Sequence, residues 1–181
     1  MLSNYIEDWA RCGALLDIDL RKYFDTIPHK ELIEILRERV KDERFMRLII
    51  RLLKAPVLSS TGDLKTNEAG SPQGSILSPL LANIYLHYVL DEWFETVVRP
   101  RIKGNGQMVR YADDVVFTFK DMGTATKVRD VIVKRLNKYG LSINEDKTKI
   151  IICNGYLAGY KAKAEEMPSF TFLGFLHIWG K

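Results

Sequence analysis

Two adjacent carboxylates, Asp113 and Asp114, stand between two apolar runs, Met108 to Tyr111 and Val115 to Phe119. By itself an Asp-Asp pair reads as a turn, because aspartate side chains bond their own backbone and tolerate left-handed conformations. Apolar strands on both sides put this turn at the tip of a buried hairpin, where two negative charges need something to balance them. A third acid, Asp19, ends another apolar strand, Leu15 to Leu20, in which Asp17 and Asp19 alternate with apolar residues and so share one face. Three carboxylates from two strands can hold two divalent ions about 3.5 to 4 Å apart, the geometry that activates an attacking oxygen and stabilises a leaving one in phosphoryl transfer.

Two further features admit two readings each. Phe24 follows Asp19 by five residues and suits either core packing or the wall of a site. Ser71-Pro72-Gln73-Gly74 is either a plain turn or a place where a backbone and an amide approach a nucleotide, ahead of a helix N-terminus that favours phosphate.

Positioning these residues requires an ordered scaffold, and the composition supplies one. The chain has 181 residues, is 46% hydrophobic and 28% charged, and carries a formal net charge of +4. These values exclude disordered, collagen-like and low-complexity classes, and the sequence pI of about 9.0 hints at a polyanionic partner. Cys12 and Cys153 have no His/Cys cluster beside them, which argues against a zinc site or disulfide scaffold and for a reducing compartment. The apolar stretch Ile76 to Leu90 is broken by Ser78, Pro79, Asn83 and His87 and falls short of the ~20 residues that span a bilayer. The segment Met1 to Arg11 is too polar for a signal peptide.

Pro28 opens a helical run with Leu32, Leu36 and Val40, and Asp42 is positioned to cap a second run with Phe45, Leu48, Ile49 and Leu52. Pro56 to Gly70 reads as a hairpin or loop. Ser78 as N-cap with Pro79 at the first helical position starts a helix ending before Pro100. Thr124 to Tyr139 forms a helix stopped by Gly140. Strands are expected at Leu141 to Asn144, Lys149 to Cys153 and Phe170 to Ile178. This order gives an α+β fold, an antiparallel sheet backed by helices.

The blocks DLRKYFDTIPH (Asp19 to His29), GSPQGSILSPLLANIYLHYVL (Gly70 to Leu90), RYADDVV (Arg110 to Val116), LSINEDKTKI (Leu141 to Ile150) and FLGF (Phe172 to Phe175) run in the order and spacing of reverse transcriptases. The chain resembles most the enzymes of bacterial group II introns (maturases), with retron-type enzymes next. The resemblance implies a polymerase palm with a ferredoxin/RRM-like core. It implies Asp19 and Asp113 as principal metal ligands, with Asp114 as the third catalytic carboxylate, and two Mg²⁺ ions that Mn²⁺ can replace. Phe24 would be the steric gate against a ribose 2′-hydroxyl; Gln73, Gly74, Tyr111 and Ala112 would line the nucleotide and template. Lys147 would sit near the triphosphate as a proton donor, and Phe172, Leu173, Gly174 and Phe175 would form the primer grip. Asp17 and Asp25 do not match metal-binding positions, and Asp25 reads as structural, as in helix capping.

The implied organisation is a single core fragment: palm about 1–27 and 71–167, later fingers about 28–70, and a primer-grip hairpin about 168–181. The first half of the fingers and the thumb would be absent. The implied function is RNA-directed DNA polymerase, with an RNA template, a DNA primer, dNTPs and intron RNA as partners, no membrane, and a bacterial cytoplasmic, nucleoprotein-associated location. The alternative is a catalytically incomplete fragment that binds RNA as a splicing module. A nucleotide cyclase sharing the palm topology gives no reason for the SPQG and Tyr-Ala-Asp-Asp blocks together.

Overall fold

The computed structural model describes residues 12–58, 64–65, 69–70, 77–104, 106–153 and 169–178. The chain divides into two compact units, one of residues 1–20, 93–134 and 143–181, the other of 21–92 and 135–142.

The first unit is built on a four-stranded antiparallel sheet of β1 (Ala14–Ile18), β4 (Gln107–Tyr111), β5 (Asp114–Phe119) and β6 (Lys149–Ile152), in the order β4-β5-β1-β6. With helices between β1 and β4 and between β5 and β6, this is the βαββαβ order of ferredoxin-like cores. Residues paired across an antiparallel ladder share a face. Asp17, Val116 and Val109 therefore lie on one face, and Ile18, Val115 and Arg110 on the other. The second face is the drier one: Ile18, Val115 and Phe117 are at most 1% exposed, and the Phe94 ring meets Phe117 edge-on at 5.0 Å.

Among the described residues, the first face is covered at one end. There β7 (Ser169–Phe172) and β8 (Phe175–Ile178) form a hairpin whose Phe170 and Phe172 pack with Leu15, Val116, Cys12 and Cys153. Its turn, Leu173 and Gly174, has positive φ at both residues (55° and 77°), as tight hairpins require. Both cysteines are buried and free. They share a hydrogen bond that holds the Cys12 thiol below its ordinary range and, together with burial, pushes Cys153 up.

The second unit holds α1 (Tyr23–Thr26), α2 (His29–Arg39), α3 (Glu43–Leu53), a short β2 (Val57–Leu58) and β3 (Leu64–Lys65) pair, and α4 (Ser78–Leu86). The helix of α4 widens into π turns at His87–Asp91. Tyr23 donates its hydroxyl proton to the Ala82 carbonyl, tying α1 to α4. Asp42 caps α3 as the sequence indicates, accepting from Arg44 N at 2.7 Å and Phe45 N at 3.2 Å. Asp42→Ala leaves those amides without the carboxylate, so the melting temperature should fall by about 2–4 °C, equivalent to about 1 kcal/mol. Asp42→Asn should stay near wild type, and no fall in Asp42→Ala would show that the cap contributes nothing.

Four local expectations need correction. Ser78 is the first residue of α4 and Leu77 its N-cap, with no side-chain cap bond. Proline fits any first-turn position because amides there have no helical partner, so Pro79 does not fix the boundary to one residue. The helix α5 (Met122–Lys138) starts before Thr124, because the Asp121 carboxylate accepts from Thr124 N at 2.8 Å and from its hydroxyl at 2.9 Å. Gly140, at φ +70°, does mark its end. Leu141 to Asn144 is not a strand: Ile143 alone makes a bridge, to Leu20, because the chain here turns toward the Asp19 backbone instead of extending a ladder. Asp25 is the N-cap of neither neighbouring helix: it lies within α1, and Lys22 and Pro28 are the N-caps of α1 and α2, neither making a side-chain cap bond.

Candidate active site

The open end of the first sheet face carries the acids. The β1–β5 ladder ends at Ile18 opposite Val115; one step further along each strand stand Asp19 and Asp114. Ala112 and Asp113 form the two-residue connection between Tyr111 and Asp114, the last pair of the β4–β5 ladder. Ala112 has φ +54°, a left-handed conformation that a Cβ disfavours. Arg110 donates from Nη1 to the Ala112 carbonyl at 2.8 Å. Tyr111 is 65% exposed, so its ring is not a core element.

Asp19 is held by an interruption in the β1–β6 ladder. Pairing runs regularly to Asp17 opposite Lys149, after which Asn144 to Lys147 swing out as a turn. Asn144 N donates to the Asp19 carbonyl at 2.8 Å, and the Asp19 amide donates to Thr148 Oγ1 at 3.4 Å. A side-chain hydroxyl thus stands in for a strand carbonyl, and this excursion is why no strand forms over 141–144. It also delivers Lys147, whose Nζ lies 3.6 Å from Asp19 Oδ2.

The acids repel one another. Burial, then Asp113 and Asp19, raise the Asp114 pKa. Asp17 is affected more: burial first, then the charges of Asp114 and Asp19, push it up to about 6, with Lys149 opposing. Motif matching passes over Asp17. Its place two residues before Asp19 on one strand face is the signal that could include it.

Among the described residues, no three His, Cys, Asp or Glu side chains already converge on a point where one metal ion could sit. The donor chemistry nonetheless fits a hard divalent cation. Asp19, Asp113 and Asp114 offer carboxylate oxygens at one sheet end, and Asp114 carries a repulsion that a cation would relieve.

The remaining site residues lie on other elements. Phe24 is half-buried in α1, its ring 5.3 Å from the buried Tyr23. Gln73 and Gly74 lie outside the described residues. In the β7–β8 hairpin, Phe172 is buried and Phe175 is 72% exposed, so the two aromatic residues of the FLGF block differ: one anchors, one is presented.

The fold is shared with solved telomerase structures. Apo telomerase from Candida tropicalis superposes with a TM-score of 0.72 at 16% identity, covering 98% of this chain and 34% of that one. Telomerase from Candida albicans, in complex with a fragment of telomeric RNA, gives 0.69 at 16% identity over 96% and 32%. Residues 3–177 match the reverse transcriptase (RNA-dependent DNA polymerase) family, and the chain belongs to it.

Among relatives, the putative COX1/OXI3 intron 2 protein of Saccharomyces cerevisiae is 44% identical, over 51% of this chain and 10% of its own length. The group II intron-encoded protein LtrA of Lactococcus lactis is 48% identical, over 38% of this chain and 11% of its own. Protein YkfC of Escherichia coli is 34% identical, over 75% and 42%. The chain therefore spans from a tenth to less than half of these relatives. Among the described residues, no helix is long and apolar enough to cross a membrane.

Proposed function

We propose that this chain is the catalytic core of an RNA-directed DNA polymerase of the group II intron type, adding deoxynucleotides to a primer 3′ end on an RNA template. The observation that carries this reading is the meeting of Asp19 and Asp114 on one sheet face, with Asp113 in the adjoining turn and the Lys147 ammonium beside Asp19. Asp19 and Asp113, with Asp114, would hold two Mg²⁺ ions, which supply charge stabilisation to the attacking and leaving oxygens.

The chain's own residues do the rest. Lys147, on an exposed turn, can carry a proton to the departing pyrophosphate. Tyr111 and Ala112 border the nucleotide and template, the role that the motif resemblance also gives to Gln73 and Gly74. Phe172 seats the β7–β8 hairpin while Leu173, Gly174 and Phe175 present the turn to the primer. The palm comprises about 1–27 and 71–167, the later fingers about 28–70. The template is RNA, as the telomerase likeness and the intron-encoded relatives suggest; intron RNA is the natural further partner of a protein of this type, in a bacterial nucleoprotein in the cytoplasm.

Extension of a DNA primer on an RNA template, with dNTPs and either Mg²⁺ or Mn²⁺, tests this directly. Metal-dependent lengthening is expected. Tight, salt-sensitive binding of the primed template with no lengthening under either metal would make the chain an RNA-binding module instead.

Phe24 gives a second test. If its ring fills the space of a ribose 2′-hydroxyl, Phe24→Val should raise ribonucleotide over deoxynucleotide incorporation by about tenfold, the worth of about 1.4 kcal/mol. An unchanged ratio in single-nucleotide extension would assign Phe24 to packing alone.

A further inference from the structure

We infer that Arg110 is the positioning residue of the acid-bearing turn, acting on it from the opposite face of the sheet. The inference rests on the reading of Asp113 and Asp114 as working acids. Arg110 is paired with Val115, and Val115 with Ile18, so its side chain leaves the sheet on the side away from Asp17 and Val116. From there Nη1 reaches forward to the Ala112 carbonyl at 2.8 Å.

That carbonyl is the informative partner. It belongs to the peptide unit whose nitrogen is that of Asp113, so fixing its plane fixes ψ at Ala112 and φ at Asp113, and with them the direction of the Asp113 Cβ. The turn needs such a hold. Positive φ occurs at Ala112, the first central residue, and not at Asp113, a pattern in which hairpins place glycine first. Alanine there gives the turn a reason to relax, and β4 is an edge strand that offers little resistance. A guanidinium on a half-buried stem can direct a planar N–H at one carbonyl, whereas an ammonium is a mobile point charge.

The test uses the whole chain and four variants. Arg110→Met keeps the aliphatic stem and removes the donors, Arg110→Lys keeps the charge, Ala112→Gly removes the conformational penalty, and the fourth combines Arg110→Met with Ala112→Gly. Amide hydrogen exchange without metal reads the turn, and the Mn²⁺ concentration at half-maximal thermal shift reads the site.

Arg110→Met should speed exchange at Asp113 and Asp114 by about tenfold while amides in the middle of β1 and β5 change by less than about twofold. It should raise the Mn²⁺ midpoint by about fivefold. Arg110→Lys should behave like Arg110→Met. The double variant should return both readouts to within about twofold of Ala112→Gly alone, which a packing role for the arginine would not allow. Exchange and midpoint unmoved by Arg110→Met, or a double variant no better than Arg110→Met, would overturn the inference. Exchange behaving as expected in a chain that binds no Mn²⁺ would uphold the turn's dependence on Arg110 and count instead against the polymerase reading.

Discussion

Asp113→Asn should lower metal-dependent primer extension by at least about a thousandfold, equivalent to about 4 kcal/mol of transition-state stabilisation. The asparagine is nearly the same shape and can occupy the same turn, so the fold should persist; what disappears is one negative charge at the point where a cation must balance developing charge. The same variant should be slightly more stable without metal. Asp113 is one of the two charges that raise the Asp114 pKa after burial, and removing a like charge from a partly exposed cluster is worth about 0.5 kcal/mol, or about 1–2 °C in melting temperature. It should also lose most of the thermal shift that Mn²⁺ gives the wild type. Extension within about tenfold of wild type would remove Asp113 from the chemistry, whatever the stability shows.

The second large effect is on stability and depends on pH. Asp17→Asn should raise the melting temperature at about pH 8 and leave it unchanged at about pH 4. In the folded protein the Asp17 carboxyl titrates near about 6, against an ordinary value of 3.8, because burial, Asp114 and Asp19 disfavour its charge. A raised acid pKa means that the folded protein holds this proton more tightly than the unfolded chain. Ionised Asp17 therefore costs stability above pH about 6, and the cost fades as pH falls through the window from about 6 to 3.8. Raising a carboxyl from 3.8 to about 6 costs about 3 kcal/mol at most, and solvent screening of this partly exposed group brings that to about 1–2 kcal/mol. The expected gain is then about 3–6 °C at the higher pH. A gain equal at both pH values, or none, would mean that Asp17 does not feel the acids of the open face.

What is legible in the sequence follows the range of the forces involved. The alternation of Leu16, Asp17, Ile18 and Asp19 specifies a strand and a face because side-chain direction has a period of two. Asp42 is legible as a cap because its partners, Arg44 N and Phe45 N, are two and three residues away. The part Asp17 plays is hidden because the proximity that matters, to Asp114, is a property of the β1–β5 register rather than of local spacing. The missing strand at 141–144 has the same origin. Leu141 to Asn144 has strand composition, but the chain leaves the ladder to meet Asp19 with Asn144 N and the Thr148 hydroxyl. Two aromatic residues flanking one tight turn, Phe172 and Phe175, look alike in sequence, and only the packing of Phe172 on Leu15 and Val116 separates anchor from presented ring.

The division of the sheet into a face with carboxylates and a face of buried apolar residues ties correct folding to the making of the site. If β1 slid by one residue along β5, Asp17 and Asp19 would turn toward the ground now held by Ile18 and Val115, each at most 1% exposed, and Leu16 and Ile18 would come out beside Asp114. Ionised carboxylates in that interior would cost several kcal/mol apiece, so the misaligned ladder is penalised by the same side chains that serve the chemistry. The acids thus proofread their own placement against a one-residue slip: the register that sets Ile18 opposite Val115 is the one that keeps Asp19 and Asp114 at the same end of one face.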